Sequence, residues 1–348
     1  MAPFRILTPD AQYPDDAVVE RESAGPGFVF DVHRTRDLEA LPEGALESAD
    51  ALLVWHEFPV TQAVIARLAR CRIVVRAGAG FDHIDLAAAG AAGLPVANTP
   101  DYGTSEVADH AIGLLLALAR GIPFHHDALR ADPVGPWRYP ETACMRRLRG
   151  TTLGLVGLGR IGTATALRAR AFGLGLVAYD PYLARGQEIA LGVRRAESLD
   201  ELLGQSHAVS LHCPLTAETH GLIGEAALAA MRPDALLINT ARGALVHLPA
   251  LYRALEAGQI AGAALDVLPE EPPRPNEPLI RAYQEGAEWL RGRLLLTPHA
   301  AWNSPESRRD ARRLSAETAA LYLGASTLRN CVNPHLIDPA RQRARAAP

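Results

Sequence analysis

The sequence contains no lysine: all 35 of its basic residues are arginine. Against 39 acidic residues this leaves a formal net charge of −4. No basic block stands out, so nucleic acid is excluded as the main partner. Cysteine is also scarce. Cys71, Cys144, Cys213 and Cys331 are scattered and form no CxxC pair. That spacing suggests neither a metal site nor a disulfide framework, and points to free thiols in a reducing cytoplasm. No apolar run reaches the ~18 residues of a membrane span; the longest candidate, 111–119, is far shorter. The N-terminus, MAPFRILTPDAQ, has no apolar signal core, so a cytoplasmic protein without membrane contact is expected. What is present is ample core material. Over 348 residues, 48% are hydrophobic and 21% charged, which predicts a globular chain of two domains.

Short apolar runs alternate with amphipathic stretches along the whole chain. Strands are predicted over 5–8, 28–32, 51–55, 73–76 and 95–98, with a helix over 61–70. A long helix over 104–120 opens on Thr104-Ser105-Glu106 and stops at Gly121, before Pro123. Residues 131–150 hold three prolines and no period, and read as a surface connection. The alternation then resumes with strands over 152–156, 176–179, 208–211, 235–239, 261–265 and 293–296. Helices fall between them, over 161–172 and 249–256 for example. Five prolines within 269–278 mark a loop, followed by a short helix over 279–290 and a long one over 305–323. Strands alternating with helices predict an α/β protein of parallel sheets. The end, PARQRARAAP, is basic and shows no packing signal, so 336–348 is expected to fray.

Gly157-Leu158-Gly159-Arg160-Ile161-Gly162 is a GxGxxG that follows an apolar strand and opens a helix. In that setting the first glycine permits the tight turn and the second lets the backbone approach a pyrophosphate. The third lets helix and strand pack closely, and the helix N-terminus supplies free N–H groups. Asp180 stands 23 residues after Gly157, at the end of the next strand, where an acid bonds ribose hydroxyls. A carboxylate there repels a 2′-phosphate, so NAD is expected in preference to NADP. The plain alternative is a glycine-rich turn followed by a capping Asp. The second glycine cluster, Gly78-Ala79-Gly80, lacks a third glycine and by itself reads as a tight turn.

Three segments end successive late strands: 239–243 with Arg242, 266–272 with Glu271, and 297–302 with His299 and Trp302. In an open parallel sheet, ligands bind beyond the carboxyl ends of the strands, so all three point at one crevice. Reduction of a 2-keto acid needs a cation for the carboxylate, a proton donor for the new alkoxide and a partner that tunes the donor. Arginine offers a planar fork to a carboxylate and keto oxygen. Histidine titrates near neutrality, and a neighbouring carboxylate favours its charged form. Singly, each residue also reads plainly: a surface ion pair, a loop acid, a capped core histidine. Their joint placement favours the chemical reading.

At these residues the chain resembles the D-isomer-specific 2-hydroxyacid dehydrogenases, over about 45–335. Within them it is most similar to the branch of NAD-linked C-terminal-binding corepressors. The matching stretches include VRAGAGFDHIDLAAAG, LRGTTLGLVGLGRIGTATALRARAFG, YDPYL, LHCPLT, NTARGALV, GAALDV, TPHAAW and LRNCVN. The resemblance implies two Rossmann-like or flavodoxin-like domains with the active site in the cleft between them. A split substrate domain would cover 1–99 plus 301–335, and a cofactor domain 100–300. It also implies roles. Arg242 would hold the substrate's carboxylate and keto oxygen, His299 would carry the proton, and Glu271 would pair with His299. Gly78, Ala79 and Gly80 would hold the substrate carboxylate, with Trp302 facing the substrate. Pro181, His212, Cys213, Pro214, Thr219, Thr240, Ala241 and Asp266 would line the NAD site. No metal is implied, and a homodimer is.

Arg76 is open between binding a second anionic group of the substrate and a strand-end ion pair. Asp101 and Tyr102, at the domain crossing, could also reach the substrate. The chain departs from the family pattern at His83, where asparagine is usual, and in an added segment around 283–291. No regulatory domain follows 335, which argues against the long phosphoglycerate dehydrogenases. Two functions follow from the resemblance: an enzyme interconverting a small 2-keto acid and its D-2-hydroxy acid, or a non-enzymatic NAD(H)-sensing adaptor.

Overall fold

The apolar runs form two sheets in which every strand pair is parallel. The computed structural model describes residues 2–135 and 137–346. Five strands come first: β1 (Phe4–Thr8), β2 (Phe28–Val32), β3 (Ala51–Val54), β4 (Ile73–Arg76) and β5 (Val96–Asn98). They pair in the order β2-β1-β3-β4-β5. Seven more follow: β6 (Thr152–Val156), β7 (Gly175–Tyr179), β8 (Arg194–Arg195), β9 (Ala208–Leu211), β10 (Leu236–Asn239), β11 (Gly262–Leu265) and β12 (Leu294–Leu296). Their order is β12-β11-β10-β9-β6-β7-β8. The chain divides into two compact units, Met1–Gly103 with Asn303–Pro348, and Thr104–Trp302. The divisions fall at 103/104 and 302/303 rather than at 99/100 and 300/301. The helix Thr104–Arg120 packs on strands and helices of the second unit, and the 297–301 turn is tied to Asp266 of that unit.

In the first unit, β3 and β4 are buried along their whole length, as inner strands of a sheet covered on both faces are. The helix Pro305–Ala325 returns to this unit and packs on the helix Val18–Ala24 and on β3 and β4. Arg312 anchors it. The guanidinium meets Glu20 at 2.7 Å and Asp15 at 2.6 Å and lies 3.7 Å from the Tyr13 ring centroid.

The expectation of a frayed tail is corrected. Residues Pro339–Ala346 form a helix, and Arg345 donates to the carbonyls of Ala92, Leu68 and Cys71 at 2.7, 2.7 and 2.9 Å. Leu68 and Ala92 cap the ends of two helices, so Arg345 satisfies carbonyls that a helix C-terminus leaves open. Composition alone could not reveal such a contact between distant residues. Residues 347 and 348 of that tail lie outside the described residues.

In the second unit, neighbouring residues of a strand face opposite cores. Leu236 and Ile238 of β10 join the layer with Leu115 and Leu153. Leu237 joins the other, with Val209 and Leu251. The helix predicted over 104–120 spans those residues, but a second helix, Ile122–Ala131, follows at once. Gly121 takes φ 60° and Pro123 sits in the first turn of the new helix, where its missing N–H costs nothing. The expected helix over 279–290 is split into Pro278–Gln284 and a single turn, Glu288–Leu290, by Gly286 at φ 70°. Within the predicted 131–150 connection, Pro136 lies outside the described residues.

Candidate active site

The larger sheet reverses direction between β6 and β9: the chain runs outward through β7 and β8, then returns to β9 and continues the other way. Such a switch point opens a crevice at the carboxyl ends of the strands. The GxGxxG turn follows β6 at that point. Gly157 has φ 93°, and a Cβ on it would meet the Cys213 nitrogen at 2.8 Å. A Cβ on Gly162 would strike the Gly157 carbonyl oxygen, so helix and strand pack as closely as expected. Gly159 differs: no protein atom lies within 4 Å of where its Cβ would be. No packing within the protein requires glycine there. The open space lies at the N-terminus of the helix Arg160–Ala171, whose cap makes no side-chain hydrogen bond.

Around this turn the expected cofactor residues take different positions. Asp180 follows β7 and accepts from the N–H groups of Leu158 and Tyr182, each at 3.0 Å, so it braces the glycine turn. Pro181 follows it in sequence. After β9, His212 is half-buried and its Nε2 lies 2.9 Å from Ser210 Oγ. Burial lowers its pKa to about 4, so the ring is neutral at pH 7. The Cys213 thiol is pushed up to about 11 by burial, which leaves it protonated and a poor nucleophile. Thr219 closes the turn after Pro214, accepting from Thr216 N–H at 2.8 Å and donating to Pro214 O at 2.7 Å. Thr240, after β10, is 7% exposed, and its hydroxyl has no hydrogen-bond partner. A buried hydroxyl in that state suits a ligand's polar group.

The Arg242 turn is built by a residue the sequence reading passed over. Asn239, fully buried, accepts from Ala241 N–H at 3.0 Å and donates to Arg242 O at 2.9 Å. The next residue, Gly243, has its α-carbon against the backbone of Leu268 and Pro269; a Cβ there would overlap them. That contact seats the turn bearing Arg242 on the loop bearing Glu271.

Glu271 and His299 meet directly. Nδ1 of His299 lies 2.7 Å from Oε2 of Glu271, while Oε1 accepts from Leu268 N–H at 2.8 Å. The carboxylate only accepts, so Nδ1 carries the proton and Nε2 is the nitrogen left to exchange one. Both side chains are part-exposed, at 27% and 34%. His299 has φ 52°, a left-handed conformation rare outside glycine. Asp266, 1% exposed, holds it: Ala300 and Ala301 N–H groups donate to its two oxygens at 2.9 and 3.0 Å, and His299 N–H donates to its carbonyl at 2.7 Å. The structure thus gives Asp266 a holding role that the sequence reading did not foresee.

The residues expected in the first unit cluster beyond β4 and β5. Arg76 is 6% exposed and folds over Gly78 to donate to Ala77 O at 2.6 Å. Burial raises the pKa of Asp10, a rise opposed by the N–H groups of Trp55, Phe58 and Glu57 and by the charge of Arg76. Asn98 donates to Ala79 O at 2.7 Å and Thr99 N–H to Gly78 O at 3.0 Å, which fixes the 78–80 turn. Trp302 is half-buried at the end of the second unit.

Comparison with known proteins agrees with this geometry. Residues 112–301 match the family described as D-isomer specific 2-hydroxyacid dehydrogenase, NAD binding domain. A D-3-phosphoglycerate dehydrogenase from Methanocaldococcus jannaschii is 36% identical over 83% of this chain and 52% of its own. The chain spans about half the length of the curated relatives it matches. Among solved structures, an NADPH-dependent glyoxylate/hydroxypyruvate reductase from Sinorhizobium meliloti, with NADP and malonate, aligns with TM-score 0.82. Identity is 30%, over 96% of this chain and 98% of that one. A D-lactate dehydrogenase from Aquifex aeolicus, with NAD and lactic acid, aligns with TM-score 0.78 and 29% identity, over 92% and 95%.

Proposed function

Since the chain belongs to the D-isomer-specific 2-hydroxyacid dehydrogenases, we propose that it interconverts a small 2-keto acid and its D-2-hydroxy acid, with NAD(H) preferred over NADP(H). The observation that carries the reading is the Glu271–His299 pair at 2.7 Å, on loops after adjacent strands and beside the Arg242 turn. Three features fit a dinucleotide: the open space at Gly159, the unpartnered Thr240 hydroxyl and the carboxylate at the end of β7. Residues 157–162, Asp180, Pro181, His212 to Pro214, Thr219, Thr240, Ala241 and Asp266 would hold it. Asp180 supports NAD, because a 2′-phosphate would meet a like charge. When bound, the nicotinamide supplies the hydride.

The remaining chemistry belongs to side chains of this protein. Arg242 binds the carboxylate and draws charge toward the keto oxygen. His299 Nε2 gives its proton to that oxygen as it becomes an alkoxide, and takes it back in oxidation. Glu271 holds the ring by Nδ1 and stabilises the imidazolium formed in the oxidative direction. In the first unit, the 78–80 turn is assigned to the substrate carboxylate and Arg76 to a second anionic group. In the second, Trp302 is assigned to the substrate. A homodimer is part of the same proposal: Val134, Trp137 and Tyr139 are 92%, 79% and 89% exposed within one short segment.

The test mixes the purified protein with NADH or NADPH and a panel of 2-keto acids, followed at 340 nm. The panel runs from glyoxylate, pyruvate and hydroxypyruvate to the dianions oxaloacetate and phosphonopyruvate. Turnover that His299→Ala abolishes, with NADH affinity retained, supports the reading. Silence across the panel, or full activity in His299→Ala, overturns it. Equal selectivity between mono- and dianions in Arg76→Ala removes the role given to Arg76.

A further inference from the structure

His110, Thr297 and Asp266 form a hydrogen-bonded chain with only one allowed polarity. Thr297 Oγ lies 2.6 Å from Asp266 Oδ1. The carboxylate only accepts, so the hydroxyl proton points at Asp266. The same oxygen lies 3.0 Å from His110 Nε2 and has lone pairs left to accept with. His110 Nε2 therefore carries a proton and donates it. The direct separation from Nε2 to Asp266 is 3.6 Å, too long for a hydrogen bond, so Thr297 is the bridge.

This chain ends on the residue that shapes the His299 backbone. Asp266 receives the N–H groups of Ala300 and Ala301 on its side chain and that of His299 on its carbonyl. The left-handed φ of His299 is strained and persists only where the surroundings impose it. His110 sits in the helix Thr104–Arg120, which is seated by a buried face including Val107, Ala111 and Leu114. The adjacent Asp109 bonds Arg168 of the helix Arg160–Ala171 at 2.5 Å, which pins the same turn. A rigid helix is thereby coupled to a strained catalytic loop through two hydrogen bonds.

We propose that His110 is a positioning residue for His299. By donating to Thr297 it orients the Thr297 hydroxyl on Asp266 and so fixes the backbone that aims the His299 ring at Glu271. It touches neither substrate nor cofactor in this role. The inference rests on His299 being the proton-transfer group, and its test separates the two ideas.

Variants His110→Leu and His110→Gln are compared by steady-state kinetics and by NMR of protein labelled with 15N-histidine. The amide of the Gln variant can donate from near the former Nε2 position; Leu cannot. His110→Leu is expected to lower kcat by about tenfold to hundredfold, since a displacement on the ångström scale at a reacting group costs that much. Its KM for NADH stays within about twofold of wild type, and His110→Gln recovers most of the rate. The NMR readout is the His299 Nδ1–H proton bonded to Glu271, identified by its loss in His299→Ala. It should vanish by exchange in His110→Leu and persist in His110→Gln. Unchanged kcat and an unchanged resonance in His110→Leu overturn the proposal. If the wild type turns over no 2-keto acid, the resonance decides alone: its loss upholds the positioning role while the enzymatic reading falls, and its persistence removes the role. Should His110→Leu fail to fold, Thr297→Val and Thr297→Ser repeat the comparison at the bridge. Loss in Val and retention in Ser support the chain, and retention in both overturns it.

Discussion

Asp266 and His299 are bound backbone to backbone: the His299 N–H donates to the Asp266 carbonyl at 2.7 Å, at a residue whose φ is 52°. The side chain of the same Asp fixes the next two residues, so one buried acid at the end of β11 sets the conformation of a turn at the end of β12. The catalytic proposal depends on that turn, because it delivers the ring to Glu271.

Glu271→Gln keeps the size of the side chain and removes its charge. The imidazolium formed during oxidation loses its partner, and an amide can present nitrogen to Nδ1, which favours the other tautomer. The oxidation rate is expected to fall by about 10²–10⁴-fold, the range of a lost acid–base contribution. NADH affinity should stay near the wild-type value. Stopped-flow single turnovers alongside a fluorescence titration of NADH would check it, and a rate within threefold of wild type would contradict it.

Gly243→Ala puts a methyl group into the backbone of Leu268 and Pro269. Neither neighbour is a flexible side chain, so the two loops must part. A loss of about 1–3 kcal/mol in stability is expected from overpacking, with a drop in turnover as Arg242 and Glu271 separate. Urea denaturation and kcat measure the two effects. A variant with wild-type values for both would show that the loops are not in this contact.

His212 gives a pH signature. Loss of solvent around the ring lowers its folded pKa to about 4, from the ordinary histidine value of 6.5. Between those values the unfolded chain binds more protons, so stability rises with pH there. The contribution is complete above pH 6.5 and is lost as pH falls toward 4. Its full size is on the order of 3 kcal/mol. Denaturation midpoints at pH 7, 6 and 5 should fall more steeply in the wild type than in His212→Asn. Parallel curves would place His212 outside the core.

Asp180→Ser tests cofactor choice. Removing the carboxylate relieves repulsion of a 2′-phosphate, and serine can still accept from Leu158 N–H. The ratio of kcat/KM for NADH to that for NADPH is expected to fall by about tenfold to hundredfold. An unchanged ratio would mean that Asp180 serves only the glycine turn, which it braces at 3.0 Å.

Much of the fold was legible because local chemistry decided it. The strands at Phe28–Val32, Ile73–Arg76, Thr152–Val156 and Ala208–Leu211 coincide with their predicted spans. Each is a short, mostly apolar run. Strand β8 is two arginines, Arg194–Arg195, and carries no apolar signal of its own; pairing with β7 makes it a strand. The helix Ile122–Ala131 was hidden because Pro123 reads as a stop, although proline suits a first turn. The GxGxxG and its acid were equally local, a strand, turn and helix in register. Asn239, Thr297 and His110 were not legible, since each acts on a partner set by folding: His110 meets Thr297 across 187 residues.

The sequence by itself determined the class of the protein. Alternating apolar runs require parallel sheets, and glycine at 157 and 162 permits a close-packed turn, with Gly159 beside open space. Arg242, Glu271 and His299 are the side chains to which the proposed chemistry is assigned. Only the tertiary structure decided which oxygen of Glu271 faces His299, that Gly243 seats the Arg242 turn on the Glu271 loop, and that Asp266 holds a left-handed turn. It also decided that Arg345 docks a tail whose composition suggested fraying. The reason is physical: strand and turn preferences act over a few neighbouring residues. A hydrogen bond between distant residues has no energy until the sheet and helices bring its two ends within about 3 Å.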